Sequence, residues 1–428
     1  MPVYDTGAIQ NAQTSRIVSL SVRVFNTGRQ PAIAGIEAYT INPPGDGFAA
    51  KTFYAVNLVS LNPIGEAGSS FTLGNVFANL DVFGIRVSTS GLGGSTVAVA
   101  IAATRENGLV EPYFLEGEVT TVDELLFAYV ANNEPNVSVF NTGNHTLVKT
   151  IETATDSFRV AVAPDGTRVY VSDSNRSVYA IDTQTNTVIA TITFPVTAGV
   201  GGLAVTPNGA RVYVLCNGDD TIRIVGTATN TITGFIVLAP LSKPERIVFN
   251  TDGSRAYVCN SNADTVTVID TATETIITDI PLVVGANPVS LAIHPEGTFV
   301  YTANQGTSGT SVIDTSVNAV VASISFPVGN NPAGVAITPD GSRLYFSMSS
   351  DEVLLFNPQT LTFVQSIILP TGDTPTSLAV TPDSSELLIA CFNRACVKVA
   401  STETGEIVAI MPAGLNPDDI AITPVLLF

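Results

Sequence analysis

The chain of 428 residues contains no tryptophan, two histidines, three methionines and four cysteines. Each scarcity removes a class of chemistry. Without indole rings there is no Trp-stacked quinone and no Trp-lined sugar platform. Two histidines, His145 and His294, cannot supply the converging imidazoles of a zinc or copper centre. His294 precedes a turn proline where sibling segments carry Thr or Ala, and reads as a tolerated turn-flanking residue. Charge is also scarce, at 13% of residues, and acids outnumber bases 37 to 18. The resulting net charge of −19 repels phosphate backbones and anionic headgroups, which argues against nucleic acid and anionic membranes as partners. No apolar run approaches the roughly 18 residues of a membrane helix, so no membrane insertion is expected. The start, Met1-Pro2-Val3-Tyr4-Asp5, lacks the basic and apolar regions of a secretory leader. Either a leader was removed earlier or the protein reaches its destination by another route.

What is present is Thr, Ser, Asn and Gly, a composition that suits an extracellular, cell-surface or spore-surface protein better than a cytosolic enzyme. It also carries a repeat. A strand ending in a Pro-acid-Gly turn recurs at Pro164-Asp165-Gly166, Pro207-Asn208-Gly209, Asn250-Thr251-Asp252-Gly253, Pro295-Glu296-Gly297, Pro339-Asp340-Gly341 and Pro382-Asp383-Ser384, with a truncated copy at Ile422-Thr423-Pro424. Marked at residues 164, 207, 250, 295, 339, 382 and 424, the steps are 43, 43, 45, 44, 43 and 42 residues. That period belongs to four-stranded propeller blades. Within each unit, Pro presets φ and Gly accepts a positive φ in the first turn. A second strand follows (Arg168-Val169-Tyr170-Val171), then a polar hairpin and a third strand (Val266-Thr267-Val268-Ile269). An Asp-Thr turn leads to the fourth (Val188-Ile189-Ala190-Thr191-Ile192). Alternating β-branched residues mark strands throughout, and no segment shows a helical period.

The count closes at seven. Second strands centre on Tyr129, Tyr170, Tyr213, Tyr257, Tyr301, Tyr345 and Leu388. First strands, also seven, start one blade later. The blade beginning near Leu125 therefore lacks a first strand, and Asp419-Ile420-Ala421-Ile422-Thr423 supplies it from the other end of the chain. The expected fold class is all-β: a seven-bladed β-propeller whose C-terminal strand closes the first blade, leaving no open sheet edge. The units Val169-Tyr170-Val171-Ser172-Asp173 and Ala256-Tyr257-Val258-Cys259-Asn260, with Val268-Ile269-Asp270-Thr271, resemble YVTN-type propeller repeats. That resemblance covers about three-quarters of the chain. It implies prokaryotic surface proteins, and lactonase-like enzymes share the architecture; the fold does not choose between them.

The N-terminal third reads as a flexible arm (1–15), a small antiparallel β-sandwich or jelly roll (16–104) and an acid-rich linker (105–123), ahead of the propeller (124–428). Around Val22-Arg23-Val24-Phe25-Asn26-Thr27 this part is similar to small sandwich domains of bacterial spore-surface proteins.

Candidate chemistry is sparse. The tyrosines recur at one blade position and read as core between blades. The acids of the Pro-Asp-Gly and Asp-Thr turns recur as regularly, and local side-chain bonds to turn backbone explain them. Catalytic groups should break a repeat, which leaves Asp219, Asp220, Glu245-Arg246, Asp373, Asp418 and Asp419 as loop candidates without a spacing signature. No catalytic, cofactor or metal set is assigned, although a calcium ion held by carbonyls and one or two of these acids fits the composition. A core of this size needs no disulfide framework. Cys216, Cys259 and Cys391 each fall nine residues after a turn mark and read as equivalent buried positions on blades too far apart to bridge. Cys391-Phe392-Asn393-Arg394-Ala395-Cys396 spans one hairpin and has the spacing for a cross-strand disulfide.

The expected function is a non-enzymatic surface or structural protein. In it the propeller is a rigid display head, held to a protein or surface component, or to copies of itself, through residues 1–15 and the N-terminal domain. Two alternatives stand beside it: a lactonase-like hydrolase at the channel mouth, and an adhesion or ligand-binding module.

Overall fold

A computed structural model describes residues 126–424 throughout and, before them, only the backbone of nine strands between residues 3 and 113. The chain divides into two units, 1–124 and 125–428. In the first unit the strands pair into two sheets. One contains Ala32–Ile41, Lys51–Leu61 and Val82–Gly91, and the other Ile17–Asn26, Ser70–Phe77 and Val97–Arg105. Within the expected arm, Val3–Asp5 and Ile9–Gln10 pair with Val82–Gly91. Within the expected linker, Val110–Tyr113 pairs with Val97–Arg105. The side chains by which a sandwich would be judged, and residues 114–123, lie outside the described residues.

The second unit is the expected propeller: seven four-stranded antiparallel sheets. We number the blades along the chain. Blade 1 comprises Phe127–Asn132, Asn136–Asn141 and Thr146–Glu152. Blades 2 to 7 start at residues 157, 200, 244, 288, 332 and 375. Blade 1 takes its innermost strand, Pro417–Ile422, from the chain's end, in the register Tyr129↔Ala421 and Val130↔Ile420. Phe127 and Thr423 lock this junction: the Phe127 amide donates to Thr423 Oγ1 at 2.9 Å, and the Thr423 amide donates to the Phe127 carbonyl at 2.8 Å.

The turn chemistry explains the period. Gly166, Gly209, Gly253, Gly297 and Gly341 sit at φ between 69° and 73°, and Ser384 takes the same left-handed place at 62°. In blades 2, 3, 5 and 7 the Thr of the turn between the third and fourth strands then donates to that residue's carbonyl: Thr183 to Gly166 (2.6 Å), Thr227 to Gly209 (2.8 Å), Thr315 to Gly297 (2.6 Å) and Thr402 to Ser384 (2.5 Å). Two turns of one blade are thus tied together by one hydroxyl. The acid at the first turn caps its own loop, as Asp165 does for the Thr167 amide at 3.0 Å.

Packing lies between blades. Tyr129, Tyr170, Tyr213, Tyr257, Tyr301 and Tyr345 are fully buried, as is Leu388 at the seventh position. One cluster joins Tyr170 and Val178 of blade 2 to Val205, Val212 and Val214 of blade 3, and the pattern repeats around the ring. The outermost strands alternate exposed and covered residues because only their inner face meets a neighbour.

One register differs from the sequence reading. The blade 4 turn is Thr251-Asp252-Gly253, with the Gly253 amide donating to the Asn250 carbonyl as Gly209 does to Thr206. Asn250 therefore matches Thr206 and not Pro207. Cys216 and Cys391 pair with the first inner-strand residues Val200 and Pro375, whereas Cys259 pairs with Arg246 and Asn260 takes the equivalent place opposite Pro244. A one-residue slip turns Cys259 to the other face of its sheet.

Candidate functional site at the channel mouth

The seven innermost strands surround the channel, and their equivalent positions can be read as rings. The fourth residues are Val160, Leu203, Ile247, Leu291, Val335, Leu378 and Ile420, all aliphatic and all buried. They line a space of about 170 Å³ and give the channel an apolar floor. Above it, the third residues are Arg159, Gly202, Arg246, Ser290, Gly334, Ser377 and Asp419, and the second are Phe158, Gly201, Glu245, Val289, Ala333, Thr376 and Asp418. Charge is confined to blades 1, 2 and 4. Glycines fill two third positions for a steric reason: a Cβ on Gly202 would stand 2.3 Å from the Glu245 carbonyl, and one on Gly334 2.7 Å from that of Thr376.

The charged side chains converge. Arg246 makes a two-pronged pair with Asp419, with both nitrogen–oxygen distances 2.7 Å. Asp419 also accepts from the Val160 amide at 3.0 Å and from Ser377 Oγ at 2.8 Å. Its carboxylate is saturated, and it fastens the closing strand to blades 2, 4 and 7. Arg159 donates to Asp418 at 2.6 Å, while its guanidinium lies 4.1 Å from the Phe158 ring centre. Arg159 Nε is buried without an acceptor among the described residues. Glu245 pairs with Lys243 at 3.1 Å and accepts from Ser261 at 3.2 Å. Arg159, Lys243, Glu245, Arg246, Thr376 and Asp418, with Asn287, Val289, Gln305 and Ala333, enclose a cup of about 260 Å³.

The two adjacent carboxyls are driven apart. Burial pushes Asp418 up, and the charge of Arg159 only partly offsets this, so its pKa stays above the ordinary carboxylate value. Burial also acts on Asp419, but the charge and hydrogen bonds of Arg246, with help from Arg159, hold it below that value. Arg159 is itself lowered, first by burial and then by the nearby Arg246. Adjacent acids with separated pKa values are the usual arrangement where one must exchange a proton and the other must stay charged.

Of the sequence candidates, only Asp418, Asp419 and the Glu245-Arg246 pair come together. Asp219 sits in a hairpin, accepting from Thr221 at 2.6 Å and from Arg223 at 3.1 Å. Asp220 staples a loop through the amides of Leu241 (2.7 Å) and Lys243 (2.9 Å). Asp264 and Asp351 do the same in blades 4 and 6, so Asp220 obeys the repeat and does not break it. Asp373 is buried beside Lys398 and Arg394 in blade 7. Cys391 and Cys396 stand directly opposite each other as free thiols. His145 bonds Glu386, and the His294 ring accepts from the Glu296 amide at 3.3 Å. No group of three or more His, Cys, Asp or Glu side chains converges among the described residues. Sequence reading missed Arg159; its signal was a charge at a position that is Gly or Ser in blades 3, 5, 6 and 7.

Comparison with known proteins agrees with this architecture. No protein-family model and no curated protein matches the chain. Among solved structures, it is similar to the periplasmic gluconolactonase of Pseudomonas aeruginosa (16% identity, 70% of this chain and 99% of that one, TM-score 0.60). It is also similar to a putative 6-phosphogluconolactonase of Bacteroides fragilis (17%, 71% and 99%, 0.60). A third is the hydrazine synthase of Kuenenia stuttgartiensis (21%, 61% and 88%, 0.56). Identities this low establish a shared fold, and the chain's second unit is a seven-bladed β-propeller of the kind those proteins contain.

Proposed function

We propose that the cup is the working site of this protein and that it binds and hydrolyses a small polar lactone, a ring ester of a sugar acid. The observation that carries this reading is the convergence of Arg159, Lys243, Arg246 and Asp418 in a cup where charge breaks an otherwise neutral ring. The volume of about 260 Å³ suits a molecule of monosaccharide size and falls below the roughly 300–1,000 Å³ of pockets for larger ligands. Asp418 serves as general base: it takes a proton from water as the water oxygen bonds to the lactone carbonyl carbon. Arg159 and Lys243 face the negative charge that builds on the carbonyl oxygen. The ring C–O bond then breaks, and Asp418 returns the proton to the departing alkoxide. Asp419, saturated by four hydrogen bonds, positions Arg246. Two of the structural neighbours, named as a gluconolactonase and a 6-phosphogluconolactonase, fall in the same reaction class.

The test is pH-stat hydrolysis of a panel of sugar-acid lactones by the full chain. Turnover that falls 100-fold or more in Asp418→Asn, with the fold retained, is the expected result. Ligand binding without turnover across the panel would leave a binding module, and neither binding nor turnover would overturn the site.

A second reading has its own support. Asp419 is ion-paired across the channel to blade 4 and Asp418 to the neighbouring blade 2, as braces of a rigid display head would be. On this reading the N-terminal unit tethers the head to a cell or spore surface, and residues 1–15 join neighbouring copies. Retained surface attachment or self-assembly after deletion of residues 1–15 would count against it.

A further inference from the structure

The place of Cys391 and Cys396 in the repeat is informative. Each blade ends its second strand and begins its third with a facing pair at the hairpin. In blades 1, 2 and 4 that pair makes a polar contact: Asn132 with Asn136 (2.7 Å), Asp173 with the Ser177 amide (2.6 Å) and Asn260 with Thr265 (3.0 Å). In blade 3, Cys216 faces Thr221. Blade 7 alone among these places sulfur on both sides. Directly opposed residues of an antiparallel pair have Cα atoms about 4.5 or 5.5 Å apart. Both spacings lie inside the roughly 4.4–6.8 Å window of a disulfide.

We propose that Cys391 and Cys396 form a reversible dithiol–disulfide pair, oxidised by hydroperoxides with Cys396 as the attacking sulfur. Three features favour Cys396. It keeps 8% of its surface exposed while Cys391 keeps none. Interaction with the facing Cys391 thiol holds Cys396 below the ordinary thiol pKa and Cys391 above it; Lys398 and Arg394 add to the lowering of Cys396 while burial and Asp373 oppose it. The four-residue loop above the sulfurs, containing the short 3₁₀ turn Phe392–Arg394, has exposed residues at Asn393 and Arg394, so a small oxidant has an approach. The chemistry balances in two steps. Cys396 thiolate attacks one oxygen of the hydroperoxide and breaks the O–O bond, giving a sulfenic acid and a hydroxide or alkoxide that takes a proton from solvent and leaves as water or an alcohol. Cys391 then attacks that sulfur, forms the S–S bond and releases water. The inference does not depend on the reading of the cup.

The experiment uses the full chain, reduced, then treated with hydrogen peroxide without denaturant and counted for free thiols and mass. The expected result is loss of two of the four thiols and of the mass of two hydrogens, with a peptide linking Cys391 to Cys396, all reversed by a dithiol reductant. In Cys391→Ser, a dimedone adduct should form on Cys396; in Cys396→Ser, Cys391 should stay unmodified. Cys216→Ser should still lose two thiols, which keeps the test readable if either hairpin variant folds poorly. Four thiols surviving peroxide in the wild-type chain, or a link that includes Cys216 or Cys259, would overturn the proposal.

Discussion

Asp418 and Asp419 are neighbours in sequence, yet replacing each with Asn should move stability in opposite directions. Asp419 is 3% exposed and fills its four acceptor sites with Arg246, Val160 and Ser377. Asp419→Asn takes the two-pronged counter-charge from the largely covered Arg246 guanidinium and leaves it only the charge of Asp418 nearby, a loss of about 3–5 kcal/mol. A propeller unit of about 300 residues, unfolding with about 2.1 cal/mol/K per residue, converts that to a fall of about 5–8 °C in Tm. The pH dependence has a fixed sign. The Asp419 pKa is depressed in the fold, so its contribution is fully present above the unfolded value of about 3.9 and is lost as pH falls through the lower folded value. The gap between wild type and Asp419→Asn should therefore be constant at neutral pH and close in acid. Asp418 has a raised pKa, so its ionisation costs stability once pH rises past about 3.9 and through the folded value. Asp418→Asn should consequently melt higher than wild type at pH 7. Scanning calorimetry of both variants between pH 3 and pH 8 decides the matter. Equal losses in the two variants, or an Asp419→Asn gap that widens in acid, would refute the assignment of roles.

Other outcomes follow from the same geometry. Replacing both partners of the buried pair with apolar residues (Arg246→Met with Asp419→Leu) should recover most of the loss, because the desolvation penalty goes with the charges; a double-mutant cycle in urea measures the coupling. Gly202→Ala puts a methyl 2.3 Å from the Glu245 carbonyl and should cost about 1–3 kcal/mol through strain between two inner strands, read as a lower urea midpoint. Truncation after residue 416 removes Pro417–Ile422 and leaves Phe127–Asn132 as an open edge. The shortened chain should lose cooperative unfolding and aggregate on gel filtration.

The blade count, the turn types and the borrowed strand were legible in the chain because each rests on a local requirement. A Pro-acid-Gly turn must place one residue at positive φ, as Gly166 and its equivalents do. A strand buried on both faces must be apolar, as around Tyr170 and Tyr257. Spacing alone could not settle register where the turn drifts by one residue, and Cys259 was misplaced because Asn250 occupies the position of Thr206. Nor could spacing say which acids meet. Asp219, Asp220 and Asp373 belong to local loop and ion-pair arrangements, whereas Arg159, Arg246 and Asp418 come from blades 2, 4 and 1. Their convergence depends on closing seven blades around one axis, which brings residues up to 259 positions apart into a 2.6 Å contact. The amino-acid sequence by itself determined the repeat, a property of neighbouring residues, and its closure, which follows from counting the strands of each repeat. Only the tertiary structure decided the cup, because a ring position acquires chemistry from the blades across the channel and not from the residues beside it in the chain.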